Sequence, residues 1–291
     1  MDGFKFALSM PILGEDFNQV LESMHENGVD YIDLRAIGNK LIVELSNSEI
    51  QNIKRQINDH AIKVCSISPF LFFRLPLTER EDDETYRGSY SGHIVNLHRA
   101  IELANEFDTD LIRCFGFETE VLFSPSGYKP LPFDIWEKMI ERLGKAVAIA
   151  EKAGKILALE NCHWTNLGTG LLVAKAVKEL DSKSCRLWWD PANSVMAACE
   201  NPYPYEYDEI KDYIVAIDMK DDIIDNRYNY MSHVAMGDGN KLNWADIFKG
   251  LIRDNYQNII ALESCYVPEG GTVHDGTKES FTKVRQTLKS L

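Results

Sequence analysis

Short apolar runs that end in an acidic residue dominate the second half of the sequence. The runs occupy residues 156–160, 186–190, 214–218 and 259–263, and they end in Glu160, Asp190, Asp218 and Glu263. A run of four or five mainly apolar residues predicts a strand that is buried on both faces. The four acids are 30, 28 and 45 residues apart. This spacing leaves room for a strand, a helix and loops, as in parallel strands joined by crossover helices.

The first half of the chain alternates in the same way between strand and helix patterns. Strands are predicted at residues 4–10, 31–35, 62–67 and 110–115, the third of them stopped by Pro69. Helices are predicted at 16–27, from residue 48 onward, and from the charged stretch 79–87 to residue 107. A loop is predicted at 124–132, and the helix that follows it contains Trp136 and ends near Gly154. Further helices are expected at 170–180, 206–212, 244–254 and 278–288.

Eight such strand–helix units predict an α/β fold, a (β/α)8 TIM barrel that forms a single domain over residues 1–291. An open doubly wound sheet is the alternative, but a nucleotide-binding sheet of that kind needs a glycine-rich first turn, and the sequence shows none. In a barrel the C-terminal strand ends converge at one mouth, where active sites lie. Carboxylates there are costly to desolvate without a cation, so four acids at one mouth predict a metal site.

Composition narrows the classes of function. The chain has 291 residues, 45% of them hydrophobic, and a formal net charge of −14 without a basic stripe, which argues against nucleic acid as a partner. No window of 18 apolar residues and no signal-peptide pattern is visible, so we expect no membrane association. The six cysteines form no C-x-x-C pair, which indicates reduced thiols and a cytoplasmic location.

Five short motifs after residue 155 carry a resemblance. They are Leu159-Glu160-Asn161, Trp189-Asp190-Pro191-Ala192-Asn193, Met219-Lys220-Asp221, Gly237-Asp238-Gly239 and Ala261-Leu262-Glu263. In this order they resemble the sugar phosphate isomerase/epimerase family of xylose isomerase-like barrels, which is related to endonuclease IV. The resemblance implies a (β/α)8 barrel with one divalent metal ion held by Glu160, Asp190 and Glu263. It also implies a small carbohydrate substrate, and family analogy suggests a homo-oligomer.

The chain departs from the family pattern at the fourth metal position. Asp218 stands where the family usually places a histidine, two residues before Lys220. Carboxylate oxygens favour Mn²⁺ or Mg²⁺, although Zn²⁺ or Co²⁺ would also bind. Four carboxylates around one ion leave a formal charge of −2, which Lys220, Arg113 or Arg35 could offset. Alternatively His233 supplies the imidazole, as a histidine at that location does in endonuclease IV, and Asp218 lies outside the ligand set.

The implied chemistry is proton abstraction next to a carbonyl. A divalent ion that chelates a carbonyl oxygen and the neighbouring hydroxyl makes the C–H bond between them more acidic and stabilises the enediolate. Glu160 and Glu263 would remove and return the proton. The candidates for substrate contacts are Asn193, Lys220, Arg113, His163 and Trp164. For Asn193, a cap on the following helix is an equally good interpretation.

Other classes of function stay open. A dehydratase that acts on a keto-inositol would share the metal and the proton abstraction but expel a β-hydroxyl group. An endonuclease IV-like phosphodiesterase would need three zinc ions and more histidines than the third and fourth strands offer. A non-catalytic sugar-binding barrel would not need the Glu160, Asp190 and Glu263 set. A metal-dependent sugar or sugar phosphate isomerase or epimerase is therefore the leading prediction.

Overall fold

Eight parallel strands close into a barrel in the computed structural model, which describes residues 3–9, 16–78, 80, 82–84, 88–119, 133–197, 199, 201–225, 230–263 and 265–291. The barrel strands are β1 (Lys5–Ser9), β2 (Tyr31–Leu34), β5 (Lys63–Leu71), β6 (Leu111–Phe115), β7 (Ile156–Glu160), β8 (Cys185–Trp189), β9 (Ile214–Met219) and β12 (Ile259–Glu263). Each pairs with the next along the chain, and β12 pairs with β1 to close the ring. The predicted (β/α)8 barrel is confirmed.

Two small hairpins extend from the barrel. The first pairs β3 (Ala36–Ile37) with β4 (Lys40–Leu41), and the second pairs β10 (Asp221–Asp225) with β11 (Tyr230–Val234). Only Lys220 separates β9 from β10. The second hairpin therefore continues directly from a barrel strand at its C-terminal end.

Helices surround the barrel and pack their apolar faces on it. They are α1 (Phe17–Glu26), α2 (Asn47–Asp59), α3 (Tyr90–Glu106), α4 (Phe133–Lys152), α5 (Gly170–Leu180), α6 (Pro191–Met196), α7 (Tyr207–Ile210), α8 (Trp244–Arg253) and α9 (Val273–Lys289). Short helical turns of other types lie at Ile42–Glu44, Pro202–Glu206 and Lys211–Tyr213. Within the described ranges, a helix with the length and apolar character needed to cross a membrane is not found.

Two sequence-based boundaries were wrong. The third barrel strand does not stop at Pro69 but continues to Leu71. Its pairing with β6 is interrupted between Ile67 and Leu71, so Pro69 occupies a place where no ladder N–H is required. The helix expected to begin in the stretch 79–87 begins at Tyr90, because the Ser89 side chain accepts the Gly92 N–H and caps it there. The loop predicted at 124–132 lies outside the described residues.

The interior of the barrel has an apolar layer beneath a polar layer. Alternate strand residues point to the same side, so the layers are two residues apart along each strand. The lower layer includes Ala7, Ala158, Ala216 and Ala261 together with Trp188. The upper layer includes Ser9, Glu160, Asp218 and Glu263, at or near the C-terminal ends of their strands. The small alanine side chains leave room for Trp188, and the guanidinium of Arg113 lies 4.5 Å from its ring centroid.

Candidate active site

The Arg113 guanidinium is the centre of the polar layer and is almost fully buried. Its Nε donates to Glu160 Oε2 at 2.6 Å. Nη1 donates to Asp33 Oδ2 at 3.2 Å and to Ser9 Oγ at 3.1 Å, and Nη2 donates to Asp218. One side chain from β6 therefore ties together acids from β2, β7 and β9, with the charge-assisted hydrogen bonds that favour arginine at buried ion pairs.

Lys220 forms a second bridge on the other side of the mouth. Its Nζ lies 2.7 Å from Asp190 Oδ2 and 2.9 Å from Glu263 Oε2. The other oxygen of Glu263 accepts from Arg35 Nη1 at 3.0 Å. The sequence-based expectation that Arg113, Lys220 and Arg35 lie near the acids agrees with these contacts.

Burial and these cations separate the pKa values of the acids. Burial raises the pKa of Asp218 well above its usual range, although Arg113 opposes the shift. Burial likewise raises the pKa of Asp190 to about 6, against the effect of Lys220. Burial also acts to raise the pKa of Glu263, but Lys220 and Arg35 outweigh it and hold this pKa well below its usual range. Glu263 is therefore an ionised carboxylate at neutral pH.

The network carries excess negative charge. Three cations, Arg35, Arg113 and Lys220, contact five carboxylates, Asp33, Glu160, Asp190, Asp218 and Glu263, which leaves a formal −2. Oxygens of Glu160, Asp190 and Asp218 lie within 4.8 Å of one another. Oδ1 of Asp218 is buried without a hydrogen-bond partner among the described residues. This donor set fits a divalent cation, which would balance the charge and satisfy the remaining oxygen.

Asn193 lies within this network. Asp190 caps α6, because its side chain accepts the Asn193 N–H at 2.8 Å. Asn193 is therefore not the cap, and its side chain faces the site instead. Its amide nitrogen donates to Glu160 Oε1 at 3.2 Å and to the Asn161 carbonyl at 3.0 Å. Its amide oxygen, thus oriented, lies 3.3 Å from Lys220 Nζ.

His163 contacts the same amide from the loop above β7. Its Nδ1 lies 2.9 Å from the Asn193 amide oxygen. Because that oxygen can only accept, Nδ1 carries the proton and Nε2 is an acceptor. Nε2 is buried without a hydrogen-bond partner among the described residues. Burial lowers the pKa of His163 to about 4, so the ring is neutral at pH 7.

We expect the His163 imidazole signals in an NMR titration to stay unchanged from about pH 8 to about pH 5, because the pKa lies below the ordinary value of about 6.5. His163→Gln, which lacks these signals, identifies them. A His163 midpoint close to the ordinary value of about 6.5 would contradict burial as the cause of a neutral ring.

Trp164 lies further out, on the rim. Its side chain is 48% exposed, and the guanidinium of Arg74 lies 5.3 Å from its ring centroid. Arg74 also pairs with Glu118 at 3.3 Å. The structure therefore places Trp164 next to His163, with the two ring centroids 4.7 Å apart.

His233 lies in the β10–β11 hairpin and directs Nδ1 to Asp222 Oδ1 at 2.6 Å. It is not in the group of ligand atoms formed by Glu160, Asp190 and Asp218. The hairpin is held by Asp221, which accepts the Gly237 N–H at 2.9 Å. A Cβ on Gly239 would come within 1.8 Å of the Asp221 carboxylate. The Lys-Asp and Gly-Asp-Gly motifs are therefore in contact at the base of the hairpin.

Two acids of the site were missed by the sequence analysis. Asp33 accepts hydrogen bonds from Ser9, Ser66 and Ser68 as well as from Arg113. It lies near the end of an apolar strand, the same signal that identified the other four acids. Asp222, the second missed acid, is hidden in an Asp-Asp pair, and only the hairpin register shows that it faces a histidine.

The chain belongs to the xylose isomerase-like TIM barrel family, whose model matches residues 21–287. No curated protein matches the sequence. The family match confirms the family that the motifs of the C-terminal half predict.

Solved structures share the fold over nearly the whole chain. The IOLI protein with a binding zinc atom is 16% identical with a TM-score of 0.75, covering 98% of both chains. The Escherichia coli 3-keto-D-glucoside 4-epimerase YcjR is 17% identical with a TM-score of 0.72, covering 97% of this chain and 99% of that one. A Mycobacterium smegmatis barrel in complex with magnesium is 19% identical with a TM-score of 0.68, covering 94% and 88%. At these identities the likeness establishes the fold.

Proposed function

We propose that the protein is a divalent-metal-dependent isomerase or epimerase that acts on an unphosphorylated sugar at the carbon next to a carbonyl. The observation that carries the proposal is the arc of acids on four neighbouring strands, β7, β8, β9 and β12. Glu160 and Glu263 stand at the two ends of this arc. A substrate between them would meet one carboxylate on each side, which is the arrangement that proton transfer to opposite faces requires.

Glu160, Asp190 and Asp218 would hold the metal ion, with Glu263 as the fourth carboxylate. Oxygen ligands alone favour a hard ion such as Mn²⁺ or Mg²⁺. When bound, the ion would polarise the substrate carbonyl and make the neighbouring C–H bond more acidic. The zinc and magnesium named for two structural neighbours support metal use by barrels of this shape.

The side chains of this chain would carry the proton. Glu263, held ionised by Lys220 and Arg35, removes the proton from carbon, and the electron pair moves toward the carbonyl oxygen. Return of a proton to the same carbon from the Glu160 side gives the epimer, and return to the former carbonyl carbon gives the isomer. Nε2 of His163 and Nζ of Lys220 are the polar atoms available to orient substrate hydroxyls.

Charge balance favours a substrate without phosphate. Each cation of the network already contacts at least one carboxylate, and a bound divalent ion would bring the formal charge only to zero. A phosphate dianion would meet no surplus positive charge in this network. The epimerase acting on a ketoglucoside among the structural neighbours supports the same substrate class.

The test is exchange of the α-proton with D₂O in the presence of Mn²⁺. D-Fructose, D-fructose 6-phosphate, a 3-ketoglucoside and an inosose serve as probes, followed by NMR and by ultraviolet absorbance. We expect exchange with at least one free sugar, and faster exchange with fructose than with its phosphate. An absorbing, water-eliminated product from the inosose would instead establish a dehydratase. Metal binding without exchange of any probe would indicate a binding protein.

Titration calorimetry with Mn²⁺ shows which of Asp218 and His233 is a metal ligand. Asp218→Asn should weaken binding by more than about tenfold, the lower end of the cost of losing even an outer partner of a metal site. Asp218→His should shift preference toward Zn²⁺, since imidazole is a softer ligand. His233→Gln should bind Mn²⁺ as the wild type does. Loss of Mn²⁺ in His233→Gln with unchanged affinity in Asp218→Asn would reverse the assignment.

A further inference from the structure

Asp222 and His233 form a carboxylate–imidazole pair that the proposed function does not use. They lie directly opposite each other in the β10–β11 hairpin. Oδ1 of Asp222 and Nδ1 of His233 are 2.6 Å apart, a short distance for a hydrogen bond of this type. The Asp222 side chain is 2% exposed, whereas that of His233 is 33% exposed. The carboxylate is therefore enclosed and the ring reaches the surface of a cavity.

The carboxylate of Asp222 has no role in the cation network. Neither Arg113 nor Lys220 contacts it within the described part of the chain. Its second oxygen is buried and has no hydrogen-bond partner there. An enclosed carboxylate whose one side-chain partner is an imidazole fixes the orientation of that ring.

The His233 ring shares a cavity with two residues of the candidate active site, Lys220 and Glu263. Since Nδ1 is directed at Asp222, Nε2 points to the opposite side of the ring. The ring lines a cavity together with Lys220, Glu263 and Cys265. His233 and the carboxylate that we propose as the carbon base therefore face the same cavity.

We propose that His233, positioned by Asp222, is an acid–base residue that moves the oxygen-bound proton of the substrate, and this proposal rests on the isomerase function above. Isomerisation moves one proton between two carbons and another between two oxygens. The carboxylates transfer the first. Nε2 of His233 takes the proton of the hydroxyl oxygen and returns a proton to the former carbonyl oxygen. The imidazole ends in its starting state, and no co-reactant is needed.

The test compares two rates for the same sugar in wild type, His233→Gln and Asp222→Asn, with Mn²⁺ bound. One is α-proton exchange of D-fructose with D₂O, and the other is net conversion to the isomer. General acid–base groups contribute about 10²- to 10⁴-fold. We therefore expect net conversion in His233→Gln to fall by at least about 10²-fold, while exchange falls by less than about tenfold. In Asp222→Asn, net conversion should again fall more than α-proton exchange, but by a smaller factor than in His233→Gln.

Ser232→Ala is the matched control, because this neighbouring side chain on β11 points to the other face of the hairpin. A low-field proton resonance of the Asp222–His233 hydrogen bond should be present in wild type and in Ser232→Ala, and absent in Asp222→Asn. Equal losses of exchange and conversion in His233→Gln would show a merely structural role and overturn the proposal. Loss of Mn²⁺ would show a metal ligand instead. Absence of exchange in the wild type with every free sugar of the probe set would refute the isomerase function itself.

Discussion

Glu263→Gln should reduce α-proton exchange of the sugar substrate by about 10²- to 10⁴-fold, the usual contribution of a general base. Glutamine keeps the volume of the side chain, and its one oxygen can accept from Lys220 or from Arg35, but the amide cannot take up a proton. Glu160→Gln should reduce proton exchange at the opposite face of the substrate carbon by a similar factor. The measurement is deuterium incorporation followed by NMR, with the folded state checked by circular dichroism.

Glu106→Gln provides the control for this pair of variants. Glu106 makes a surface ion pair with Lys54 at 2.8 Å, and its loss should leave exchange unchanged because exposed pairs contribute about 1 kcal/mol or less. Exchange within threefold of wild type in both Glu160→Gln and Glu263→Gln would show that the two-carboxylate mechanism is wrong.

Arg113→Met should be among the most destabilising single changes at the barrel mouth. The substitution removes the cation shared by Glu160, Asp33 and Asp218 and leaves buried acids without compensation. Breaking a buried ion pair in this way costs about 3–5 kcal/mol of unfolding free energy. Urea denaturation of the metal-free protein measures the effect.

Arg253→Met is the comparison, because Arg253 pairs with Asp208 and Asp254 at the surface and its side chain is 50% exposed. Its loss should destabilise the protein far less than Arg113→Met does, because exposed ion pairs contribute little to stability. Mn²⁺ should stabilise Arg113→Met more than wild type, since the ion would supply the charge that the variant lacks. Equal stability of the two arginine variants would contradict the central position of Arg113.

Local patterns were sufficient to predict the barrel strands and their acidic ends. The strands are mainly apolar runs of the length that a buried strand needs, and in the second half of the chain an acid stands at the C-terminal end of each run. Strand ends that share one mouth must bring their side chains together. For this reason the proximity of Glu160, Asp190 and Asp218, residues from three separate strands, could be expected without any coordinates.

The pairing of charges could not be predicted in the same way. Arg113 lies in the middle of an apolar strand, two residues before its end, and which acids it reaches depends on the register of strands distant in sequence. The strand pairing that places Asp222 opposite His233 was not predicted by the sequence analysis. The helix boundary at Tyr90 depended on one serine cap, which competed with a charged stretch that resembles a helix start.

The contact between Asp218 and Arg113 has a consequence for how this barrel can diverge. A histidine at position 218, as in the related pattern, would leave the guanidinium facing a neutral ring inside the barrel. We therefore expect a substitution of Asp218 to be retained only where Arg113 is also replaced, and the reverse. Among relatives of this chain, an acid on the seventh barrel strand should occur together with an arginine on the fourth, and the two should be inherited or lost as a pair.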